Sequence, residues 1–156
     1  MLSLADAVEA LKGVRPNWAP QIITDASVDS REVIPGSLFV AIPGEQTDGH
    51  DYVGEAFARG ACYALVQQEI SGENLILDLR GDSPLDMDLG CELPVTLLVE
   101  DSLQALQQIA RFWRTKLNLR VVGITGSVGK STTKEMVASV LEQRFSTLKN
   151  QGNLNN

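Results

Sequence analysis

Short apolar runs alternate with amphipathic segments along the first hundred residues, a pattern typical of α/β proteins. Ser3-Leu4-Ala5-Asp6 has the spacing of a capping box, so a helix is expected to begin there and to end at Gly13. Its apolar face is Leu4, Ala7, Val8 and Leu11. Runs rich in β-branched residues predict strands at 22–28, 38–42, 61–66, 75–79 and 95–99.

Two further helices are expected between and after these strands. One runs through Tyr52 and Phe57 and stops at Gly60, and a longer one covers 102–117. The acidic, glycine- and proline-marked stretch 81–90 is expected to be an exposed loop. On the long helix, steps of three and four residues predict a buried face of Leu103, Leu106, Ala110, Trp113 and Leu117. We interpret its aromatic residues as packing groups and not as a ligand-stacking platform.

The last forty residues change character. An apolar run that contains Leu119, Val121, Val122 and Ile124 predicts a buried strand, and Lys130 opens a helix. Between them lies Gly123-Ile124-Thr125-Gly126-Ser127-Val128-Gly129-Lys130-Ser131-Thr132, and residues 145–148 are expected to start another strand. Strand, glycine loop and helix therefore follow one another in the order that a phosphate-binding loop requires.

The residue types in this loop suit the binding of a nucleoside triphosphate. Gly126 and Gly129 lack Cβ, so they can adopt positive φ and let backbone N–H groups converge on an anion. Lys130 would bring a positive charge to the β- and γ-phosphates as the catalytic group, and the Ser131 hydroxyl would ligate Mg²⁺. The predicted ATP-binding residues are Gly126, Ser127, Val128, Gly129, Lys130, Ser131 and Thr132.

The loop departs from the strict eight-residue pattern, because Ile124 stands where that pattern has glycine. It therefore corresponds to the shorter Thr-Gly-x-x-Gly-Lys-Ser form. The alternative interpretation is a tight strand-to-helix turn with a solvated lysine.

Two polar loops that follow strands form a second candidate site. Asp29-Ser30-Arg31 follows the first predicted strand, and residues 44–51, which include Asp48 and His50, follow the second. Arg31 could grip a diphosphate through forked hydrogen bonds, with Ser30 adding a hydroxyl, and His50 could donate to a sugar or a phosphate. In the alternative reading, Asp29 and Arg31 form an ion pair that stabilises the turn, and His50 caps the following helix.

Composition narrows the class of protein. With 156 residues there is room for one domain, or for a small domain and part of another. A net charge of −7 without a basic cluster argues against a nucleic-acid partner. Cys62 and Cys91 lack metal-ligand spacing and are expected to be reduced thiols. No apolar stretch is long enough to span a membrane and no signal peptide is recognised, so we expect a cytoplasmic protein without membrane insertion.

Several motifs together resemble the Mur ligase family over nearly the whole chain. In the first hundred residues they are Asp-Ser-Arg (29–31), Pro-Gly-Ser-Leu-Phe-Val-Ala-Ile-Pro-Gly (35–44), Asp-Gly-His-Asp (48–51) and Ala-Phe-Ala-Arg-Gly-Ala (56–61). Later motifs are Thr-Gly-Ser-Val-Gly-Lys-Ser-Thr-Thr-Lys-Glu-Met (125–136) and Gly-Asn-Leu-Asn-Asn (152–156). The acidic stretch at 71–92 looks longer than is usual in the family, so the resemblance implies no function for it.

The resemblance implies an α/β chain in which a small mixed α/β substrate domain precedes the truncated start of a P-loop, parallel-sheet ATPase domain. We expect the UDP-sugar domain at 1–100, a connecting helix at 101–118 and the start of the ATP-binding domain at 119–156. The implied substrate residues are Ser30, Arg31, Asp48, His50, Asn153 and Asn156.

The implied reaction consumes ATP, with Mg²⁺, to join D-alanyl-D-alanine to UDP-N-acetylmuramoyl-tripeptide through an acyl phosphate. The chain looks like an N-terminal fragment that is inactive alone, and we expect a monomer. Two alternatives stay open. One is a fragment of another Mur-type or folylpolyglutamate-type ligase, and the other is a non-catalytic module that binds a UDP-sugar.

Overall fold

The chain divides into two compact units, Met1–Asn118 and Leu119–Asn156. The computed structural model describes residues 1–17, 19, 21–44, 47–72, 74–81 and 93–150. The division of labour expected for these units stays a prediction at this point. Helix α3 (Ser102–Lys116) belongs to the first unit, where it packs against the N-terminal helix α1 (Leu4–Lys12).

The first unit is built on one parallel sheet. Its strands are β1 (Ala26–Ser27), β2 (Leu38–Val40), β3 (Tyr63–Val66), β4 (Leu75–Asp78) and β5 (Val95–Leu98). They lie in the order β1-β2-β3-β5-β4, and every neighbouring pair is parallel. The α/β class is confirmed. The first strand is shorter than the predicted range 22–28, because pairing with β2 covers only Ala26 and Ser27.

Both faces of the sheet are covered, which explains why the central strands β2, β3 and β5 are apolar at every position except Thr96. On one face, alternate strand residues such as Leu38, Leu65 and Leu97 pack with residues of α1 and α3. On the other, Phe39, Ala64 and their neighbours pack against α2 (Val53–Ala58). The sheet, with an apolar core on each face, therefore fixes the positions at which its five strands end.

Helix α1 begins as the sequence predicts. The Ser3 side chain accepts from the Asp6 backbone N–H, the Asp6 carboxylate accepts from the Ser3 backbone N–H, and Gly13 ends the helix at φ +72°. The predicted face is buried at Leu4, Ala7 and Val8. The capping box and the apolar spacing are both local signals, and the prediction from them is confirmed.

A charge network joins α1 to the end of α3. Asp6 Oδ1 accepts from Arg15 at 2.7 Å and from Lys116 at 3.0 Å, and the same two cations reach Glu9 at 2.8 and 2.9 Å. Burial tends to raise the pKa of Asp6, but hydrogen bonds from Ser3, Arg15 and Lys116 outweigh burial and hold this pKa well below its usual range. The carboxylate is therefore charged and fully engaged at the α1–α3 contact.

The predicted buried face of α3 is wrong by about one position. Ala105 and Ile109 are the buried apolar residues, whereas Leu103 and Leu117 are each more than a third exposed. The helix itself runs from Ser102, with the Asp101 side chain accepting from the Gln104 N–H at 2.8 Å. Ala105 and Ile109 belong to the core between α1, α3 and the sheet, and of the predicted leucines only the half-buried Leu106 packs against it.

The second unit contains helix α4 (Lys130–Leu141), which begins at the predicted residue. The strands predicted before and after it are wrong. Leu119, Val121 and Val122 are 61–64% exposed and form no strand, and Leu148 is 99% exposed. A parallel strand exists only when a neighbour pairs with it, and among the described residues no partner strand lies beside either segment.

Candidate functional site

The parallel sheet brings the segments that follow its strands to one edge. Asp29-Ser30-Arg31 follows β1, and the segment containing Asp48 and His50 follows β2, its hydrogen-bonded neighbour. Ligands of open parallel sheets commonly bind at this carboxyl edge. The sheet thus places both predicted polar segments at the same edge, and their contact with a substrate stays a prediction.

The segment after β1 is a short 3₁₀ turn, Ser30–Glu32, whose N-cap is Asp29. The Asp29 carboxylate accepts from the Arg31 backbone N–H at 2.9 Å and from its guanidinium, with Nη2 to Oδ2 at 2.6 Å. The Arg31 guanidinium is the main cause that lowers the pKa of Asp29 to about 2. The turn-stabilising ion pair between Asp29 and Arg31 that the alternative reading expects is therefore present. The Arg31 side chain is nevertheless 78% exposed.

Ser30 is buried under this turn. Its hydroxyl donates to Glu55 Oε2 at 3.3 Å, and the other oxygen of Glu55 accepts from Arg59 Nε at 2.9 Å. Glu55 is a residue that the sequence analysis missed as a member of this site. Its pairing with Arg59 at i,i+4 on a helix could have been found from spacing. Its contact with Ser30 depends on the fold, since 25 residues separate them.

The segment after β2 is fixed by a close backbone approach. Gly49 N–H donates to Ile42 O at 3.1 Å, and a Cβ on Gly49 would lie 2.7 Å from Ile42 N. The Asp48 side chain accepts from the His50 N–H at 2.9 Å and starts a 3₁₀ helix, Gly49–Tyr52, that leads into α2. Hydrogen bonds from the backbone N–H of His50 and, to a smaller extent, from its side chain lower the pKa of Asp48.

His50 is buried, and both of its ring nitrogens have partners within the chain. Nδ1 lies 2.5 Å from Asp48 Oδ1, and Nε2 accepts from the Gln67 backbone N–H at 2.9 Å. The N-cap of α2 is Tyr52 and no side chain caps that helix, so His50 does not cap it, contrary to the alternative reading. Direct donation from His50 to a sugar or phosphate, which the sequence analysis considered, would require one of these two contacts to break.

A shallow cavity of about 340 Å³ lies beside α2, next to this histidine. Among the described residues, its lining contains Asp51 and Glu69 but neither lysine nor arginine. A diphosphate would meet only negative charge there. The cavity therefore does not fit the anionic ligand expected at the sheet edge.

In the second unit, the predicted glycine loop opens α4. Gly126 and Gly129 have φ of +153° and +80°, the positive values that the sequence predicts. Gly129 is the N-cap of α4 and supplies no side-chain cap, so no side chain there covers the first N–H groups of the helix. Lys130 Nζ donates to Gly126 O at 2.6 Å across the loop, and its ammonium has two further N–H groups. These features fit a phosphate ligand.

The remaining predicted residues of this loop are placed as follows. Ser127, Val128, Ser131 and Thr132 are all exposed. Asn153 and Asn156, predicted near the substrate, and Cys91 lie outside the described residues. Within the described residues, no three acidic, histidine or cysteine side chains are grouped to hold a metal ion. Ser131 would supply one ligand to a Mg²⁺ ion and leave the rest of its coordination sphere to other groups.

The acidic residue Glu135 of α4 also forms an ion pair with Lys149, which lies after the helix. Across the described part of the chain, no helix combines the length and apolar character that crossing a bilayer requires.

Comparison with known proteins gives consistent similarities. The family described as "Mur ligase family, catalytic domain" matches residues 23–84, in the first unit. The UDP-N-acetylmuramoyl-tripeptide–D-alanyl-D-alanine ligase of Synechocystis is 37% identical over 134 residues, which cover 86% of this chain and 26% of the relative. The chain thus spans about a quarter of that curated relative's length.

Solved structures agree with the sequence relatives. A MurF ligase from Thermotoga maritima, in complex with ADP, is 32% identical with a TM-score of 0.65, covering 84% of this chain and 26% of that one. A MurF from Acinetobacter baumannii is 30% identical with a TM-score of 0.72, covering 97% and 30%.

Proposed function

Because the chain belongs to the Mur ligase family, we propose that it is part of an ATP-dependent ligase that joins D-alanyl-D-alanine to UDP-N-acetylmuramoyl-tripeptide. The observation that carries the proposal is the glycine loop that opens α4, with Gly129 in the left-handed region and Lys130 spanning the loop. Such a ligase works in the cytoplasm, where ATP and the UDP-sugar are available, and we expect a monomer.

In this proposal the second unit binds ATP. The uncapped N–H groups of α4 and the Lys130 ammonium would hold the phosphates, and the Ser131 hydroxyl would be one ligand of Mg²⁺. Bound ATP supplies the phosphoryl group that activates the substrate carboxylate. Lys130 stabilises the negative charge of the phosphates as this group is transferred. The ADP bound by the Thermotoga maritima relative supports a nucleotide in this role.

The first unit would bind the UDP-sugar at its carboxyl edge. Arg31 is a largely exposed cation there, and its ion pair with Asp29 orients the guanidinium. The guanidinium keeps N–H groups that Asp29 does not use, and these would donate to the diphosphate. Ser30 would contribute its hydroxyl by turning its single O–H from Glu55 to the ligand. The matched residues 23–84, which contain this edge, support a role for it in the family's function.

The 156 residues are expected to bind substrate without completing ligation. They span about 26–30% of the relatives' length, and the remaining length of such a ligase would supply the further contacts that ligation needs. An assay for ADP release that depends on both UDP-N-acetylmuramoyl-tripeptide and D-alanyl-D-alanine should therefore give no signal.

The test is calorimetric titration of the chain with UDP-N-acetylmuramoyl-tripeptide, with UDP as the comparison ligand. We expect saturable binding that Arg31→Ala weakens at least about tenfold, the loss typical of one charge-assisted contact. Arg111→Ala, an exposed arginine on α3, is the matched control and should bind as the wild type does. A folded chain that does not bind either ligand would refute the UDP-sugar site.

A further inference from the structure

The buried imidazole of His50 is held at both nitrogens, and this fixes where its proton lies. The Gln67 backbone N–H donates to Nε2 at 2.9 Å, so Nε2 carries a lone pair and no hydrogen. The neutral ring therefore has its hydrogen on Nδ1, and this hydrogen points at Asp48 Oδ1, 2.5 Å away. His50 is thus a donor to Asp48 and an acceptor from the end of β3.

Asp48 uses only one of its two carboxylate oxygens in these contacts. Oδ1 accepts from both the backbone N–H and the ring of His50. Among the residues that the structure describes, none donates a hydrogen bond to Oδ2, and about two-fifths of the side chain is exposed. The carboxylate is thus locked on its inner side and open on its outer side.

The backbone around Asp48 is rigid enough for this orientation to matter. Pro43 and Asp48 form an isolated antiparallel bridge, and Gly44 N–H donates to Thr47 O at 3.1 Å. Gly49 packs directly on the backbone of Ile42, where any larger residue would collide. A carboxylate held in this way can select a ligand by geometry without being reorganised on binding.

We propose that Asp48 Oδ2 accepts a hydrogen bond from the nucleoside part of the UDP-sugar, and that His50 acts as a positioning residue that aims this carboxylate without touching the ligand. The inference rests on the proposed UDP-sugar site. A carboxylate repels a diphosphate but accepts from hydroxyl and N–H groups, and the uridine moiety offers both in its ribose and its base. Asp48 therefore reads the donor-bearing end of the ligand, while Arg31 serves its anionic part.

The first experiment is titration of the chain with UDP, comparing Asp48→Asn with Asp51→Asn. Asparagine at position 48 can keep the inner contact with His50 through its oxygen, but it turns an N–H₂ group toward the ligand's donor. We expect about tenfold weaker binding of UDP, in line with the loss of a hydrogen bond to a charged group. Asp51 is an exposed carboxylate three residues away, and its variant should bind UDP as the wild type does.

Two substitutions of His50 separate positioning from direct contact. His50→Asn keeps an amide N–H near the place of Nδ1, so it can still donate to Asp48. His50→Gln reaches the place of Nε2, so it can accept from Gln67 but cannot donate to Asp48. We expect UDP binding to survive in His50→Asn and to weaken about tenfold in His50→Gln, with circular dichroism confirming that both variants fold. The reverse order, or equal losses in two folded variants, would overturn the positioning role.

The proton position offers a readout that does not depend on variants. Nitrogen-15 NMR of the wild-type chain should place the hydrogen of His50 on Nδ1, both free and with UDP bound. A hydrogen on Nε2, or a change of tautomer on binding, would contradict the inference.

The outcomes for the inference and for the proposed function are distinct. If Arg31→Ala abolishes UDP binding while Asp48→Asn leaves it unchanged, the inference about Asp48 fails and the UDP-sugar site stands. If the wild-type chain binds neither UDP nor the UDP-sugar, both fail.

Discussion

The two units of the chain contain similar apolar runs but treat them in opposite ways. In the first unit, Leu97 of β5 is fully buried between β3 and β4, under α1 and α3. In the second, Val121 and Val122 have the same β-branched, strand-forming character and are more than 60% exposed. Burial on both faces depends on neighbours in the sheet and on helices above and below it, and only the first unit has them among the described residues.

An apolar run therefore indicates only a tendency to form a strand, and pairing with a neighbour decides whether the strand forms. The helices behave otherwise, because all their backbone hydrogen bonds are local. Helix α4 forms from Lys130 in the same unit whose predicted strands do not form. The loop at its start, which we propose binds phosphate, consequently depends on local glycine geometry more than on the surrounding layers.

The largest expected difference between the two units comes from substituting one leucine in each. Leu97→Ala should lower the free energy of unfolding by about 2–5 kcal/mol, because it leaves a cavity at the centre of the sheet. Leu148→Ala, at a side chain that is 99% exposed, should change it by less than about 0.5 kcal/mol. Urea titration followed by circular dichroism measures both. Equal costs would contradict the exposure of Leu148, because they would mean that the second unit buries this side chain.

A smaller effect is expected from one carboxylate in each unit. Asp6→Asn should cost about 2 kcal/mol, since Asp6 belongs to the capping box and accepts from Arg15 and Lys116. Glu135→Gln removes the exposed ion pair with Lys149 and should cost less than about 0.5 kcal/mol. The free energies of unfolding of both variants are measured at neutral pH. A larger loss of stability in Glu135→Gln than in Asp6→Asn would contradict this expectation.

The Asp6 network also predicts a dependence on pH. The pKa of Asp6 is lower in the folded chain than its value of about 3.9 in an unfolded chain. Its contribution is therefore fully present above about pH 4 and is lost as the pH falls further, because the unfolded state then binds the proton more readily. Stability of the wild type should fall more steeply in this acid range than that of Asp6→Asn. Parallel acid profiles would contradict the network.

The smallest structural change exchanges a hydrogen atom for a methyl group. Gly129→Ala forces a residue with a side chain into φ +80°, a strain of about 1–2 kcal/mol, although no atom lies within 4 Å of the new Cβ. We expect about five- to thirtyfold weaker ATP binding, because relief of the strain would move the loop N–H groups. Gly13→Ala has nearly the same φ and the same open surroundings, so it is the matched control. ATP titration of the two variants should separate them.

The sequence predicts best what local chemistry decides. The capping box at Ser3, the start of α4 and the positive φ of Gly129 were all predicted and are all present. The strand order, the rotation of α3 onto Ala105 and Ile109, and the Ser30–Glu55 contact depend on segments far apart in the chain. For His50, the residue type suggested a ligand donor, whereas the fold provides partners for both ring nitrogens.

We propose that the chain holds two sites, a UDP-sugar site in the first unit and an ATP site in the second. The most direct measurement titrates wild type, Arg31→Ala and Lys130→Ala with each ligand by calorimetry. We expect that Arg31→Ala loses the UDP-sugar and keeps ATP, and that Lys130→Ala loses ATP and keeps the UDP-sugar. If either substitution weakens both ligands in a folded chain, or if neither ligand binds the wild type, the claim is wrong.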